Sequence, residues 1–169
     1  MKNSGIKIIM LLCSIFVFAA CEKSDINYES DFDKSYKEWI KFKIASNDCY
    51  RYEMTTVSWT GLRTWTTITV TNGNITQRSY KLQHEDFIEV WTESGNEIGS
   101  HETYQGLLTL DQIYDKARNE WLLKRKNAQT YFKSENDGML SHCGYVDNNC
   151  ADDCFSGINI SYIEALNKK

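Results

Sequence analysis

Ile68-Thr69-Val70-Thr71-Asn72-Gly73-Asn74-Ile75-Thr76 is the stretch on which the fold of this chain turns. Asn72-Gly73 is a two-residue hairpin signal, because a type I′ turn needs positive φ at both central positions. β-Branched residues flank it on both sides, as strands prefer. The turn sets Val70 opposite Ile75 and Thr69 opposite Thr76. Working outward, Cys49–Trp59 reads as the strand before, Thr64–Thr71 as the second and Ile75–Leu82 as the third. Pairing Trp59 with Trp65 across the Thr60–Thr64 loop sets Met54 opposite Val70. One face then carries Tyr50, Tyr52, Met54, Ile68, Val70 and Ile75, a core face. The other carries Trp59, Trp65, Arg78 and Tyr80 among several threonines.

Upstream of the sheet, Phe32, Tyr36, Trp39, Ile40 and Ile44 fall at helical spacing. Ser30 or Asp31 is placed to cap this helix and Asn47-Asp48 to end it. Downstream, residues 83–106 read as an irregular excursion broken by Gly95, Gly99 and Gly106, with Phe87–Trp91 as a short strand at most. Thr109-Leu110-Asp111-Gln112 matches a capping box and opens a second helix with Leu110, Ile113, Tyr114, Ala117 and Trp121 on one stripe. Gln129–Glu135, Met139–Val146 and a run around Ile158, Ile160 and Tyr162 read as three more strands. The expected fold is α+β, with an antiparallel sheet and two helices packed on one face, in the order α-βββ-excursion-α-βββ.

The amino-terminal stretch has a different character. Lys2 and Lys7 precede an apolar run from Ile8 to Ala20, shorter than the roughly 20 residues a membrane-spanning helix needs and suited to a signal segment. It ends in Val17-Phe18-Ala19-Ala20-Cys21. Phe18-Ala19-Ala20-Cys21 resembles the lipobox of bacterial lipoproteins, with Phe18 where Leu is usual. The resemblance implies cleavage before Cys21, acylation of its thiol and amino group, and a membrane partner reached through the lipid. It places the protein in the cell envelope, at the outer membrane of a Gram-negative bacterium, facing inward or outward. Glu22 and Asp25 near Lys23 resemble the acidic marks that some lineages use for surface export, or else form an ordinary linker.

The expected organisation is a signal peptide over 1–20, a lipidated Cys with a short tether over 21–30, and one domain over 31–166. Removing the first 20 of 169 residues leaves 149, enough for one domain with a real core. Lys2 and Lys7 leave too, so 19 basic residues become 17 against 23 acidic ones, a formal balance of −6. That argues against a nucleic-acid partner, which needs clustered Lys and Arg.

Trp39, Tyr50-Arg51-Tyr52, Val70-Thr71-Asn72-Gly73, Thr109 to Tyr114 and Asp152-Asp153 follow one another in an order that resembles a family of small envelope lipoproteins, a domain of unknown function. The resemblance covers roughly residues 36–163. The chain departs from it at Asp137-Gly138-Met139-Leu140, where members carry Gly-Tyr-Pro, and at Cys49, which stands without a Cys-x-Cys partner. No activity is carried over.

Cys49, Cys143, Cys150 and Cys154 remain in the mature domain. In an oxidising envelope an even count reads as two disulfides, with three possible connectivities. The favoured one joins Cys49 to a late cysteine across a loop of roughly 100 residues, worth about 4–5 kcal/mol, and bridges the other two locally. The alternative is a zinc site from His142, Cys143, Cys150 and Cys154, although their spacing is not that of a zinc finger. A His142-activated Cys143 fails on a strand, where neighbouring side chains point apart. His84 and His101 have no nucleophile motif beside them. Asp147, Asn148, Asn149, Asp152 and Asp153 are an oxygen-rich candidate for calcium without the EF-hand order. No cofactor is expected.

These readings lead to a lipoprotein that acts by binding or docking, with no catalytic residue assigned and an unknown protein or glycan partner. The alternatives are a small envelope hydrolase and a purely structural component. The candidate binding face is Trp59, Trp65, Arg78 and Tyr80, either a stacking platform or a surface buried by residues 83–106.

Overall fold

The computed structural model describes residues 25–103, 106–152 and 154–166. The expected signal segment, Cys21 and Asp153 lie outside the described residues. Helix α1 spans Glu29–Ala45, followed by strands β1 (Tyr50–Val57), β2 (Arg63–Thr71), β3 (Asn74–His84) and β4 (Phe87–Ser94). A short helix α2 (Leu110–Lys116) runs into a π turn, Ala117–Trp121, and strands β5 (Ala128–Lys133), β6 (His142–Asp147) and β7 (Ser156–Ala165) complete the chain.

The expected α+β arrangement is corrected here. The described chain is mostly one seven-stranded antiparallel sheet, in the order β4-β3-β2-β1-β7-β6-β5. The element order is α-ββββ-α-βββ, with a fourth strand where an excursion was expected. A second helix of seven residues is too short to act as a layer over a sheet face. Two meanders, β1–β4 and β5–β7, join where β1 pairs with β7.

The Asn72-Gly73 turn forms with both residues at positive φ, and Val70 pairs with Ile75. The β1–β2 register differs from the expected one. Gly61, at φ 86°, lets the chain turn within Ser58–Leu62, so Val57 pairs with Arg63 and Met54 with Thr66. The shift is an even number of residues and leaves the β1 and β2 side chains on their expected faces. Tyr50, Tyr52, Met54, Ile68 and Val70 are accordingly buried.

The core forms between that face and the helical segments. Trp39 is fully buried, meets the Tyr50 ring edge-on at 5.1 Å and donates from Nε1 to Asp111 Oδ1 at 3.0 Å. The Tyr114 hydroxyl bonds Ser35 Oγ at 2.8 Å and accepts the Leu140 amide at 3.0 Å. Burial pushes its pKa up to about 12, which keeps it neutral and able to fill both roles. The Thr109–Gln112 capping box is present in both directions. Helix α1 starts earlier than expected, after Tyr28 and not at Ser30 or Asp31. Ile26 is buried and bridges to Leu123, so residues 26–30 belong to the folded body and not to a tether.

Candidate functional site

The expected binding face does not assemble. Thr69 pairs with Gln77 while Val70 pairs with Ile75, which leaves Thr76 as an extra residue in β3. A one-residue bulge reverses the faces beyond it. Arg78 therefore pairs with Ile68 and Tyr80 with Thr66, on the core side of the sheet, while Trp65 pairs with Lys81 on the outer side. Lys81 Nζ lies 4.9 Å over the Trp65 ring. Trp59 is in the β1–β2 turn and 75% exposed.

Arg78 is instead the centre of a buried polar cluster. Its Nε and Nη2 donate to the two carboxylate oxygens of Glu93 at 2.9 and 2.8 Å. Nη1 reaches Thr103 Oγ1 and Nη2 the His101 carbonyl. Glu93 also accepts the backbone amides of Gly99 and His101 and the Ser100 hydroxyl. The bond from Arg78, with those amides, holds the Glu93 carboxyl well below the usual carboxylate range. The loop after β4 is thus strapped over the core side, with Trp91 stacked between Tyr80 and His101. The contacts of its described residues with Arg78, Glu93 and Trp91 lie on that core side.

Glu93, His101 and Ser100 are the residue types of a catalytic triad, but the geometry is wrong for one. Glu93 Oε1 and Ser100 Oγ both approach Nδ1 of His101, at 2.9 and 3.3 Å. A triad needs the carboxylate on one ring nitrogen and the hydroxyl on the other.

A cleft of about 520 Å³ opens where the two meanders part. Pairing of β1 with β7 ends at Met54 and Ile160, so Thr56 and Val57 diverge from the start of β7. Tyr80, Leu82 and Phe155 supply apolar walls, and Thr56, Thr64 and Asn159 supply polar groups. The Thr56 and Thr64 hydroxyls bond each other at 2.6 Å. Among the described lining residues there is no Asp, Glu, Lys or Arg. His142 and Asn159, joined Nδ1 to Oδ1, line both this cleft and a more polar hollow of about 430 Å³ that includes Lys133 and Glu135.

Phe155 is held in place by absences of side chain. Gly144 and Gly157 pair across β6 and β7, and a Cβ on Gly144 would lie 2.5 Å from Phe155 Cζ. The ring also stacks on His142 at 4.7 Å with 12° between planes. Phe155, Asn159 and Glu93 were not singled out from sequence. The available signal was Gly144 and Gly157, since isolated glycines inside strands mark close approach of another group.

Cys150 and Cys154 form a disulfide with Cα atoms 6.0 Å apart, immediately before Phe155. The expected second bridge is absent among the described residues: Cys49 and Cys143 are free and buried. Cys49 lies beside Leu166 at one end of β7, while Cys143 pairs with Ile158 near the other. That is about 25 Å at 3.3 Å per residue, against the roughly 7 Å a bridge tolerates. Burial pushes the Cys143 thiol up, away from thiolate. The bridged pair and the inward Cys143 also dissolve the zinc alternative. Of the calcium candidates, Asp147, Asn148, Asn149 and Asp152 are exposed, Asp153 is outside the described residues, and no acidic or His/Cys cluster of metal-binding size occurs among the described residues. No described helix is long and apolar enough to cross a membrane.

Comparison with protein-family models, with curated proteins and with solved structures returns no match.

Proposed function

We propose that the chain is an envelope lipoprotein, anchored through Cys21, whose domain works by binding an uncharged ligand in the cleft between its two meanders. The observation that carries the reading is the chemistry of the cleft wall. Hydroxyl and amide groups from Thr56, Thr64 and Asn159 converge beside the Phe155 and Tyr80 rings, with no Asp, Glu, Lys or Arg among the described lining residues. Ligand sites combine a mostly apolar wall with a few placed polar groups, at volumes of roughly 300–1,000 Å³. A neutral glycan meets both halves of this description, with hydroxyls on its rim and a C–H face to lay on an aromatic ring.

Titration of the mature domain with uncharged oligosaccharides, followed by chemical-shift perturbation, tests the reading. Shifts should centre on Thr56, Thr64, Phe155 and Asn159, and Phe155→Ala should weaken binding at least about tenfold while Trp65→Ala leaves it unchanged. Saturable binding that survives Phe155→Ala, or shifts confined to the outer face, would sink the cleft.

A further inference from the structure

We propose that the β1–β2 turn, Val57 to Leu62, is a second membrane contact that seats the domain on the bilayer holding its lipid anchor. The inference rests on the anchoring of Cys21. Val57-Ser58-Trp59-Thr60-Gly61-Leu62 contains no charged residue, and Trp59 and Val57 are 75% and 65% exposed. Two large apolar side chains thus stand exposed together on one uncharged turn. Tryptophan is also a side chain enriched at the membrane–water interface.

The turn is prepared for a drier medium. The Ser58 amide donates to the Leu62 carbonyl at 2.8 Å and the Gly61 amide to the Ser58 carbonyl at 3.0 Å. The Thr60 amide is taken by Ser58 Oγ. Backbone groups already paired lose little on leaving water. Behind the tip, Arg63 pairs with Val57 and Lys81 with Trp65 on the outer face, where long cationic side chains can reach the headgroups.

The topology decides what the bilayer meets. The described chain begins at Asp25, whose carbonyl accepts the Lys124 amide, and the Asn27 side chain donates to Thr130 Oγ1. Thr130 pairs with Tyr145 and Tyr145 with Ser156, the first residue of β7. β7 runs antiparallel to β1, so Ser156 lies at the Val57 end of the sheet. Chain entry and the Trp59 turn thus share one end. Cys21 is four residues from Asp25, a reach of about 14 Å fully extended. The turn is three strands from β5, at least about 14 Å at the spacing of paired strands and more where β1 and β7 part. A lipid inserted from Cys21 therefore brings this end of the sheet against the surface.

Other charges at that end fix the kind of surface. Asp147 and Asp152 in the β6–β7 connection and Glu85-Asp86 in the β3–β4 turn are acidic, while Lys124 and Lys126 lie near the entry. With Arg63 and Lys81 behind the tip, four basic residues stand against these four acidic ones, so the contact is apolar and aromatic, with zwitterionic lipid and little salt dependence. The cleft shares Val57, Ser58 and Leu62 with the turn, so its rim would rest at the interface.

The test uses the processed lipoprotein reconstituted into phosphatidylcholine vesicles containing brominated acyl chains. Flotation reports the anchor, and tryptophan quenching in the floated fraction reports the turn. Wild type should be quenched equally at low and high salt, and Trp59→Phe should lose most of that quenching while still floating. Val57→Ser should reduce it in a domain whose circular dichroism is unchanged. A protein that floats but is unquenched, or is quenched equally without Trp59, overturns the contact and leaves the anchor standing. Protection of Trp59 by a cross-linkable second copy overturns it as well. Failure to float overturns both the anchor and the contact.

Discussion

Glu93→Gln removes one charge from the most enclosed ion pair among the described residues and leaves the shape of the side chain. Arg78 and Glu93 side chains are 3% and 1% exposed, so the variant leaves a guanidinium without water or counter-ion. It also turns an amide NH2 toward a site that already receives donors from Arg78, Gly99, Ser100 and His101. Breaking one side of a buried pair costs roughly 3–5 kcal/mol. The loop after β4 contacts this pair directly, and the lower end of that range, about 3 kcal/mol, is taken. For a domain near 150 residues that lowers Tm by roughly 6–12 °C. The pH dependence carries the sharper test. Arg78 holds the folded Glu93 carboxyl low, so its contribution is complete above the unfolded value of about 4.3 and is lost as pH falls from there toward the folded value. Urea midpoints of wild type and Glu93→Gln should therefore differ widely at pH 7 and by visibly less at pH 3, the gap narrowing as pH falls below the unfolded value. A loss under about 1 kcal/mol at pH 7 would refute the buried-pair argument. A gap of equal size at both pH values would refute the charge argument.

Gly157→Ala should cost at least the roughly 1–3 kcal/mol of an overpacked core, because its Cβ would run into the Cys143 carbonyl oxygen of the paired strand and the Phe155 ring. Thermal melts of Gly157→Ala and of the exposed control Gly61→Ala distinguish this from a backbone effect, since Gly61 has positive φ but open space around it. Alkylation of the mature, non-reduced domain should label no cysteine while folded and two, Cys49 and Cys143, after denaturation, because both thiols are buried and Cys150–Cys154 is bridged. Four unreactive cysteines under denaturant would restore the long bridge expected from compartment and count.

The Asn72-Gly73 turn and the alternation around it were enough to place Tyr50, Tyr52, Met54, Ile68 and Val70 in the core, since a two-residue turn and a period of two leave little freedom. The Thr109–Gln112 capping box was legible for the same reason: it is a local hydrogen-bond exchange between residues three apart. What depends on contacts distant in sequence was not legible. The extra Thr76 in β3 has no sequence mark, yet it turns Arg78 and Tyr80 away from Trp65 and undoes a binding face built by counting. Phe87–Ser94 became a full strand because β3 offered an open edge, with Glu93 anchored by a buried arginine fifteen residues earlier. The cleft exists only because β1 and β7 separate after Met54 and Ile160, in strands more than a hundred residues apart. Local chemistry is written in neighbouring residues, whereas the partner across a sheet, the pairing of a cysteine and the walls of a cavity are settled by which distant strands come to lie side by side.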